Sequence, residues 1–128
     1  MFTIHDSKIL AYQVDFEKLH IEIKAVDEKG NKAKLLFVDV FAYYFEDQLP
    51  GSILFDITEG DIKDFAEDHK ELLKKSKDYG WPMDYRNVKE LTDHIKKKGY
   101  TYYIVEASYG LNGWILARGM RKEECISY

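Results

Sequence analysis

Residues 34–46 read Lys-Leu-Leu-Phe-Val-Asp-Val-Phe-Ala-Tyr-Tyr-Phe-Glu and form the longest nearly unbroken apolar and aromatic run in the chain. Alternate side chains of an extended strand project to opposite faces, and here both faces are apolar apart from Asp39. This pattern is typical of a central strand in a sheet that is covered on both sides. One face would carry Leu35, Phe37, Phe41, Tyr43 and Phe45, and the other would carry Leu36, Val38, Val40, Ala42 and Tyr44.

Two alternating segments come before this central strand. Residues 8–17 and 19–26 change between apolar and polar side chains in the way that half-buried strands do. A tight turn near Glu17 and Lys18 would join them, and the polar loop around Gly30 would lead into the central strand. The three segments therefore predict an antiparallel meander. The apolar face of its first strand would consist of Leu10, Tyr12, Val14 and Phe16.

Two helices are predicted after a short strand at residues 53–57. The first spans residues 59–78, and Thr58 with Asp61 resembles the capping box that opens a helix. Its apolar stripe includes His69, which we expect to be a packed histidine with one hydrogen bond. The second helix spans residues 88–98 and begins after a similar capping pair.

The last third of the chain is predicted to be a hairpin. Strands at residues 100–107 and 114–120 flank a loop that contains Asn112-Gly113, a strong turn signal. The order of elements is therefore β-β-β-β-α-α-β-β. We expect a single α+β domain over residues 1–128, with a mainly antiparallel six-stranded sheet and two helices packed on one face.

The charge of the chain is unevenly distributed. Net charge is −4, but nine acidic residues lie between Asp39 and Asp68 and only Lys63 opposes them. This segment would repel nucleic acid and attract a basic protein partner. The alternative is a solvated helix face with its acids at the positive end of the helix dipole. Ten tyrosines suit either a binding surface or aromatic cross-strand pairs.

Cysteine content and the N-terminal sequence bear on the compartment. The single cysteine, Cys125, cannot form an internal disulfide, which favours a reducing compartment. Residues 1–7 lack the basic start and apolar core of a signal peptide, and no apolar run reaches membrane-spanning length. We therefore expect a cytoplasmic protein that does not enter a membrane.

Catalytic and metal signatures are weak. His5, Asp6 and Ser7 have the residue types of a catalytic triad, but sequence neighbours do not make one, and a turn or cap is the more usual role. The histidines have no metal-ligand spacing, so neither a metal site nor a cofactor is predicted. Asp39 and Asp56 would suit acid–base chemistry or Mg²⁺ binding if the fold brought them together. Otherwise Asp39 would be a hydrogen-bonded acid at a strand bend or sheet edge.

Three stretches give the chain a resemblance to a known group of proteins. These are His-Asp-Ser at residues 5–7, Phe-Asp-Ile-Thr-Glu-Gly-Asp at 55–61 and Ser-Tyr-Gly-Leu-Asn-Gly-Trp at 108–114. Together they resemble small uncharacterised bacterial α+β proteins, some of which are similar to immunity proteins of polymorphic toxin systems. The resemblance implies a cytosolic, non-enzymatic binder that occupies a toxin's active site or an adjacent surface.

The acidic segment and nearby aromatic residues are the predicted partner-binding face. Nuclease toxins tend to be basic, so an acidic surface would speed encounter, and Tyr and Trp would anchor the interface. The predicted residues are Asp56, Glu59, Asp61, Asp64 and Asp68, with Tyr43, Tyr44 and Trp81 as aromatic neighbours.

Two other functions stay open at this point. One is a small-ligand-binding or hydrolytic enzyme domain that uses buried carboxylates, although an enzyme is the less favoured reading. The other is a self-associating structural module, a homo-oligomer, because 17 Phe and Tyr side chains are hard to cover with two helices.

Overall fold

The central run forms the longest strand, β3 (Lys32–Glu46), in a computed structural model that describes residues 1–125. Before it come β1 (Lys8–Asp15) and β2 (His20–Val26), and after it come β4 (Ile53–Gly60), β5 (Thr101–Tyr109) and β6 (Asn112–Cys125). All pairings are antiparallel. The predicted α+β class, the six-stranded antiparallel sheet and the opening meander are confirmed.

The sheet closes on itself as a barrel, which the sequence did not predict. The strand order around it is β1-β2-β3-β6-β5-β4, and β1 returns to β4 through the pairing of Lys8 with Ile53. The backbone N–H of Ile9 donates to Ser52 O, and that of Leu54 donates to Ser7 O, each at 2.8 Å. Among the described residues, closure between β1 and β4 is confined to this residue pair and its two flanking hydrogen bonds.

The barrel interior is the first of two cores. Alternate residues of β2 and β3, including Ile21, Ile23, Leu35 and Phe37, are fully buried there. Phe2 is also buried in this core, ahead of the first strand. One face of the central strand is therefore covered by the opposite wall of the barrel, not by a separate layer.

The helices are α1 (Ile62–Asp68), α2 (Lys70–Ser76) and α3 (Val88–Lys97), with a 3₁₀ turn at Lys77–Tyr79. They cover the outer face of the barrel and form the second core. In it, Phe65 of α1, Leu73 of α2 and Leu91 of α3 pack with Trp114 and Tyr102 of the sheet. The prediction that helices cover one face of the sheet is confirmed.

The single helix predicted over residues 59–78 is wrong in two respects. Pairing of Glu59 and Gly60 with β5 extends β4, so α1 begins later and its N-cap is Asp61, whose carboxylate accepts from Lys63 N at 2.9 Å. The helix also breaks at His69, which has φ −117° and ψ 27°. Strand pairing therefore overrides the local capping signal at Thr58.

A β-bulge changes the faces of β3. Asp39 has φ 52°, and the pairing of β3 with β6 shifts by one residue between Val40 and Ala42. Phe37, Tyr43 and Phe45 still contribute to the barrel core, as predicted, but Phe41 belongs to the core beneath the helices. The prediction that Phe41 shares the face of Phe37 is therefore wrong.

Two other local predictions also fail because of pairing. A bulge after Ile9 buries that residue, leaves Leu10 exposed and breaks the predicted apolar face of β1. The last hairpin turns at Gly110, which has φ 83°, while Gly113 lies within β6 opposite Phe45. The Asn112 side-chain oxygen accepts from Ala107 N at 3.0 Å, so this asparagine secures the hairpin from within the strand pair.

Candidate functional site: an aromatic groove beside the end of the central strand

The second half of β3 extends past its neighbour β2. Pairing of these strands ends with Ile21 opposite Phe37, and one further hydrogen bond joins Val40 N to Leu19 O at 2.9 Å. Residues 42–46 remain paired with β6 on their other side. At residues 42–46 the edge of β3 on the β2 side therefore has no partner strand in the described part of the chain.

Two adjoining cavities, of about 500 and 190 Å³, lie beside this edge and share Phe16, Tyr43 and Trp81. We call them together the aromatic groove. Its larger part is also lined by Tyr12, Tyr44, Phe45, Gln48, Leu72 and Ser76, and its smaller part by Val14, Asp15, Leu19, His20, Val40, Phe41 and Ala42.

The β1–β2 hairpin supplies one wall of the aromatic groove. The Asp15 carboxylate accepts from Lys18 N at 2.9 Å and from Glu17 N at 3.0 Å, which fixes the turn. The hydrogen bond from Lys18 is the main reason that the pKa of Asp15 lies below its usual value. At the tip of this ordered turn Phe16 is 78% exposed.

The other aromatic residues are held by ring contacts with the cores. The rings of Tyr12 and Phe45 meet edge to face with centroids 5.1 Å apart, and Trp81 lies 5.8 Å from buried Trp114. Contacts of this type orient the rings without covering them. The aromatic groove is therefore a preformed surface.

An acidic cleft continues from the aromatic groove at Tyr44 and Leu72. It has a volume of about 610 Å³ and is lined by Glu46, Glu67, Asp68, His69, Lys70, Glu71 and Lys75 in addition to those two residues. Four carboxylates face two ammonium groups there, so the cleft favours a cationic group.

His69 lies at the inner side of the acidic cleft in a hydrogen-bonded chain. Its Nε2 is 2.7 Å from the Tyr102 hydroxyl, which is 3.4 Å from Asp68 Oδ2. Burial lowers the pKa of His69, although the charges of Asp68 and Glu46 oppose that effect. Burial, with the nearby Asp68 carboxylate, raises the pKa of Tyr102 far above its usual value. His69 is therefore a neutral, packed histidine near neutral pH, as expected.

The structure brings some predicted binding residues together and separates others. Tyr43, Tyr44 and Trp81 line the aromatic groove. Asp68 lines the acidic cleft. The remaining predicted acids are all exposed but lie outside both: Asp56 and Glu59 in β4, Asp61 at the start of α1, and Asp64 in its first turn.

The carboxylates proposed for catalysis do not converge. Asp39 lies exposed at the bulge in β3, and Asp56 lies exposed in β4, which is not a neighbour of β3 in the barrel. His5 contacts Phe55 O at 3.1 Å and Asp6 at 3.3 Å, while Ser7 is buried and donates to Ile4 O. This geometry belongs to a turn, not to a triad.

Several residues of the aromatic groove were not predicted. The alternating pattern of the first strand predicts Tyr12 and Phe16 on one half-buried face. An apolar residue next to a polar tight turn, as in Phe16-Glu17-Lys18, is the signal that favours an exposed hairpin tip. Among residues 1–125, no cluster of three or more His, Cys, Asp or Glu side chains is arranged to hold a metal ion.

Comparison of the chain with protein-family models, with curated proteins and with solved structures found no match. In the part of the chain that the structure describes, no helix has the length and apolar character needed to span a membrane. The aromatic groove and the acidic cleft are therefore the features from which a function can be inferred.

Proposed function

We propose that this protein is a non-enzymatic binding domain that recognises a basic protein partner, in the manner of an immunity-type inhibitor acting in the cytoplasm. The observation that carries this proposal is the aromatic groove. Phe16, Tyr43, Tyr44 and Trp81 come from three distant parts of the chain and line one concave surface. Exposed aromatic clusters on a folded domain mark interaction sites.

The charge around the aromatic groove supports a basic partner over a neutral one. The acidic cleft adjoins the groove directly; Glu67 and Asp68 of α1 belong to its lining, and Asp64 lies in the first turn of the same helix. Aromatic anchors would supply affinity and the carboxylates would supply steering and register.

The first test is capture of a partner from the lysate of the producing cell, at low and high salt, with two matched variants. Phe16→Ser removes an aromatic ring that is 78% exposed within the aromatic groove, and Tyr79→Ser removes one that is 87% exposed outside it. Neither ring is buried, so both variants should fold. We expect a basic partner to bind the parent and Tyr79→Ser but not Phe16→Ser, and to be released at high salt.

The role of the acidic residues is tested by substitution with asparagine, which keeps a side-chain oxygen. That oxygen is needed because Asp61 caps α1 and Asp68 contacts Tyr102. Changing Asp61, Asp64 and Asp68 together to Asn removes three charges and keeps the capping oxygen. We expect partner affinity to fall by about tenfold, from roughly 0.5 kcal/mol for each lost pairing. Glu28→Gln, an exposed loop acid, is the matched control and should leave affinity unchanged.

Two results would contradict the proposal. Undiminished capture by Phe16→Ser would remove the aromatic groove from the interface. Capture of further copies of this chain alone would favour the self-associating module over a basic partner.

A further inference from the structure

The edge of β3 that faces the aromatic groove has unused hydrogen-bonding capacity. Successive residues of an antiparallel strand direct their backbone N–H and C=O groups to alternate sides, so half of residues 41–46 point away from β6. Within residues 1–125, no backbone group pairs with them from the groove side; the last such contact is Val40 N to Leu19 O.

This edge lacks most of the usual protection of an exposed strand. Natural edges are blunted by proline, by lysine, by inward-pointing charges or by β-bulges. Residues 41–45 read Phe-Ala-Tyr-Tyr-Phe without proline or charge, and the bulge lies at the start of the segment, between Val40 and Ala42. The regular apolar edge beyond the bulge lies inside a concave surface and is suited to accept a further strand.

We propose that the partner docks by β-addition: an extended basic segment of the partner pairs with the open edge of β3 along the aromatic groove. The inference rests on the proposed function and specifies its mode of recognition. Backbone hydrogen bonds to residues 41–46 give the register. Alternate side chains of the added strand lie against the groove or point to solvent.

The charges at the two ends of this edge favour a basic segment over a second copy of the chain. Asp39 lies just before the edge, and Glu46 with Asp47 lies at its end; all three are exposed and form no ion pair in the described chain. Antiparallel pairing of two copies centred on Tyr43 would place Asp39 of each copy opposite Asp47 of the other. Like charges across a strand pair are destabilising, whereas lysine or arginine at those places is favourable.

The first experiment measures amide hydrogen exchange of the free ¹⁵N-labelled protein at two concentrations. We expect alternate amides of residues 41–46 to exchange rapidly although they lie within a strand, and the intervening amides to be protected by β6. Protection of all these amides at low concentration would overturn the proposal, because the edge would already be occupied. Protection that appears only at high concentration would also overturn it, in favour of a second copy.

The second experiment titrates this protein with an acetylated peptide amide of alternating lysine and valine, about six residues long to match the edge. We expect the rapidly exchanging amides of residues 41–46 to become protected and cross-strand contacts to appear in the NMR spectrum. The matched control peptide has the same side chains but N-methyl groups on alternate amides, and should bind at least about tenfold more weakly because it cannot complete the ladder.

Equal binding of the two peptides, or no binding of the unmodified one, would overturn β-addition. Either result would leave the proposed function standing if the lysate partner is still lost with Phe16→Ser. If the unmodified peptide does not bind and Phe16→Ser still captures the lysate partner, both β-addition and the proposed function are wrong.

Charge variants complete the test. Asp39 and Asp47 have φ of 52° and 53°, a backbone region that asparagine also tolerates, so the double change to Asn preserves the fold. We expect it to weaken peptide binding by about fivefold. The control pair is Asp6→Asn, at φ 63°, with Glu28→Gln in the loop between β2 and β3, both remote from the open edge, and it should bind as the parent does.

Discussion

Two glycines of β6, Gly113 and Gly119, both lie beside β3. Substitution by alanine should lower the free energy of unfolding at the first of them and not at the second. A Cβ at Gly113 would overlap the Tyr44 carbonyl oxygen and would lie 2.6 Å from Phe45 Cδ1 and 3.0 Å from Phe45 Cα. A Cβ at Gly119 would meet only Val38 Cγ2, at 3.4 Å. The two substitutions are the same in chemistry and in strand, and differ only in what the added methyl group touches.

The expected magnitudes follow from those contacts. Overpacking typically costs about 1–3 kcal/mol, and two of the three contacts of Gly113 are backbone atoms that cannot rotate away. We therefore expect Gly113→Ala to lose about 3 kcal/mol of unfolding free energy, a large part of the roughly 5–15 kcal/mol of a domain. Gly119→Ala should range from no change to a gain of about 1 kcal/mol, because glycine within a strand is costly relative to alanine.

Urea denaturation followed by tryptophan fluorescence measures both values. With a slope of roughly 2 kcal/mol per molar urea, Gly113→Ala should lower the midpoint by about 1.5 M. Equal midpoints for the two variants would refute the reasoning, since the close approach of Phe45 to Gly113 depends on the β3–β6 register. That register also determines which backbone groups of β3 point toward β6 and which point toward the aromatic groove.

Three further predictions concern the helices and His69. Tyr102→Phe removes the hydroxyl that lies 2.7 Å from His69 Nε2, and urea denaturation should show a loss of about 1–2 kcal/mol. Burial lowers the pKa of folded His69 below the unfolded value of about 6.5, so the unfolded state takes up the proton first as pH falls. The free energy of unfolding should therefore decrease as pH drops below that value. His69→Asn should reduce this decrease, measured as unfolding free energy across about pH 7.5 to 5.5. Asp61→Ala should lower the free energy of unfolding by about 1 kcal/mol because it removes the N-cap of α1, and Asp61→Asn should lower it by only a few tenths. Thr58→Ala should show no capping loss, because Thr58 pairs with Ile104 in the sheet. Thermal denaturation compares the three variants.

Local pattern predicted the elements well but their ends poorly. Alternation placed six strands, and helical spacing placed His69 among packed residues. The start of α1 and the turn near Gly110 were misplaced because Thr58-to-Asp61 and Asn112-Gly113 carry strong local signals that strand pairing overrides. Ladder hydrogen bonds with a distant strand are not visible in a short window of sequence.

The candidate site was only partly predictable. Tyr43, Tyr44 and Trp81 stand out by residue type, and the acidic segment by composition. Phe16 did not, because its exposure depends on where the β1–β2 hairpin ends relative to the longer β3.

The sequence by itself determined the α+β class, the antiparallel pairing and the two kinds of buried face, because side-chain period and turn residues act over a few neighbouring positions. Tertiary structure alone decided the closure into a barrel, the bulge at Asp39 that moves Phe41 outward, and the overhang of β3 beyond β2. The physical reason is that each of these depends on the length and register of strands far apart in the chain, and the aromatic groove with its open edge exists only where those lengths fail to match.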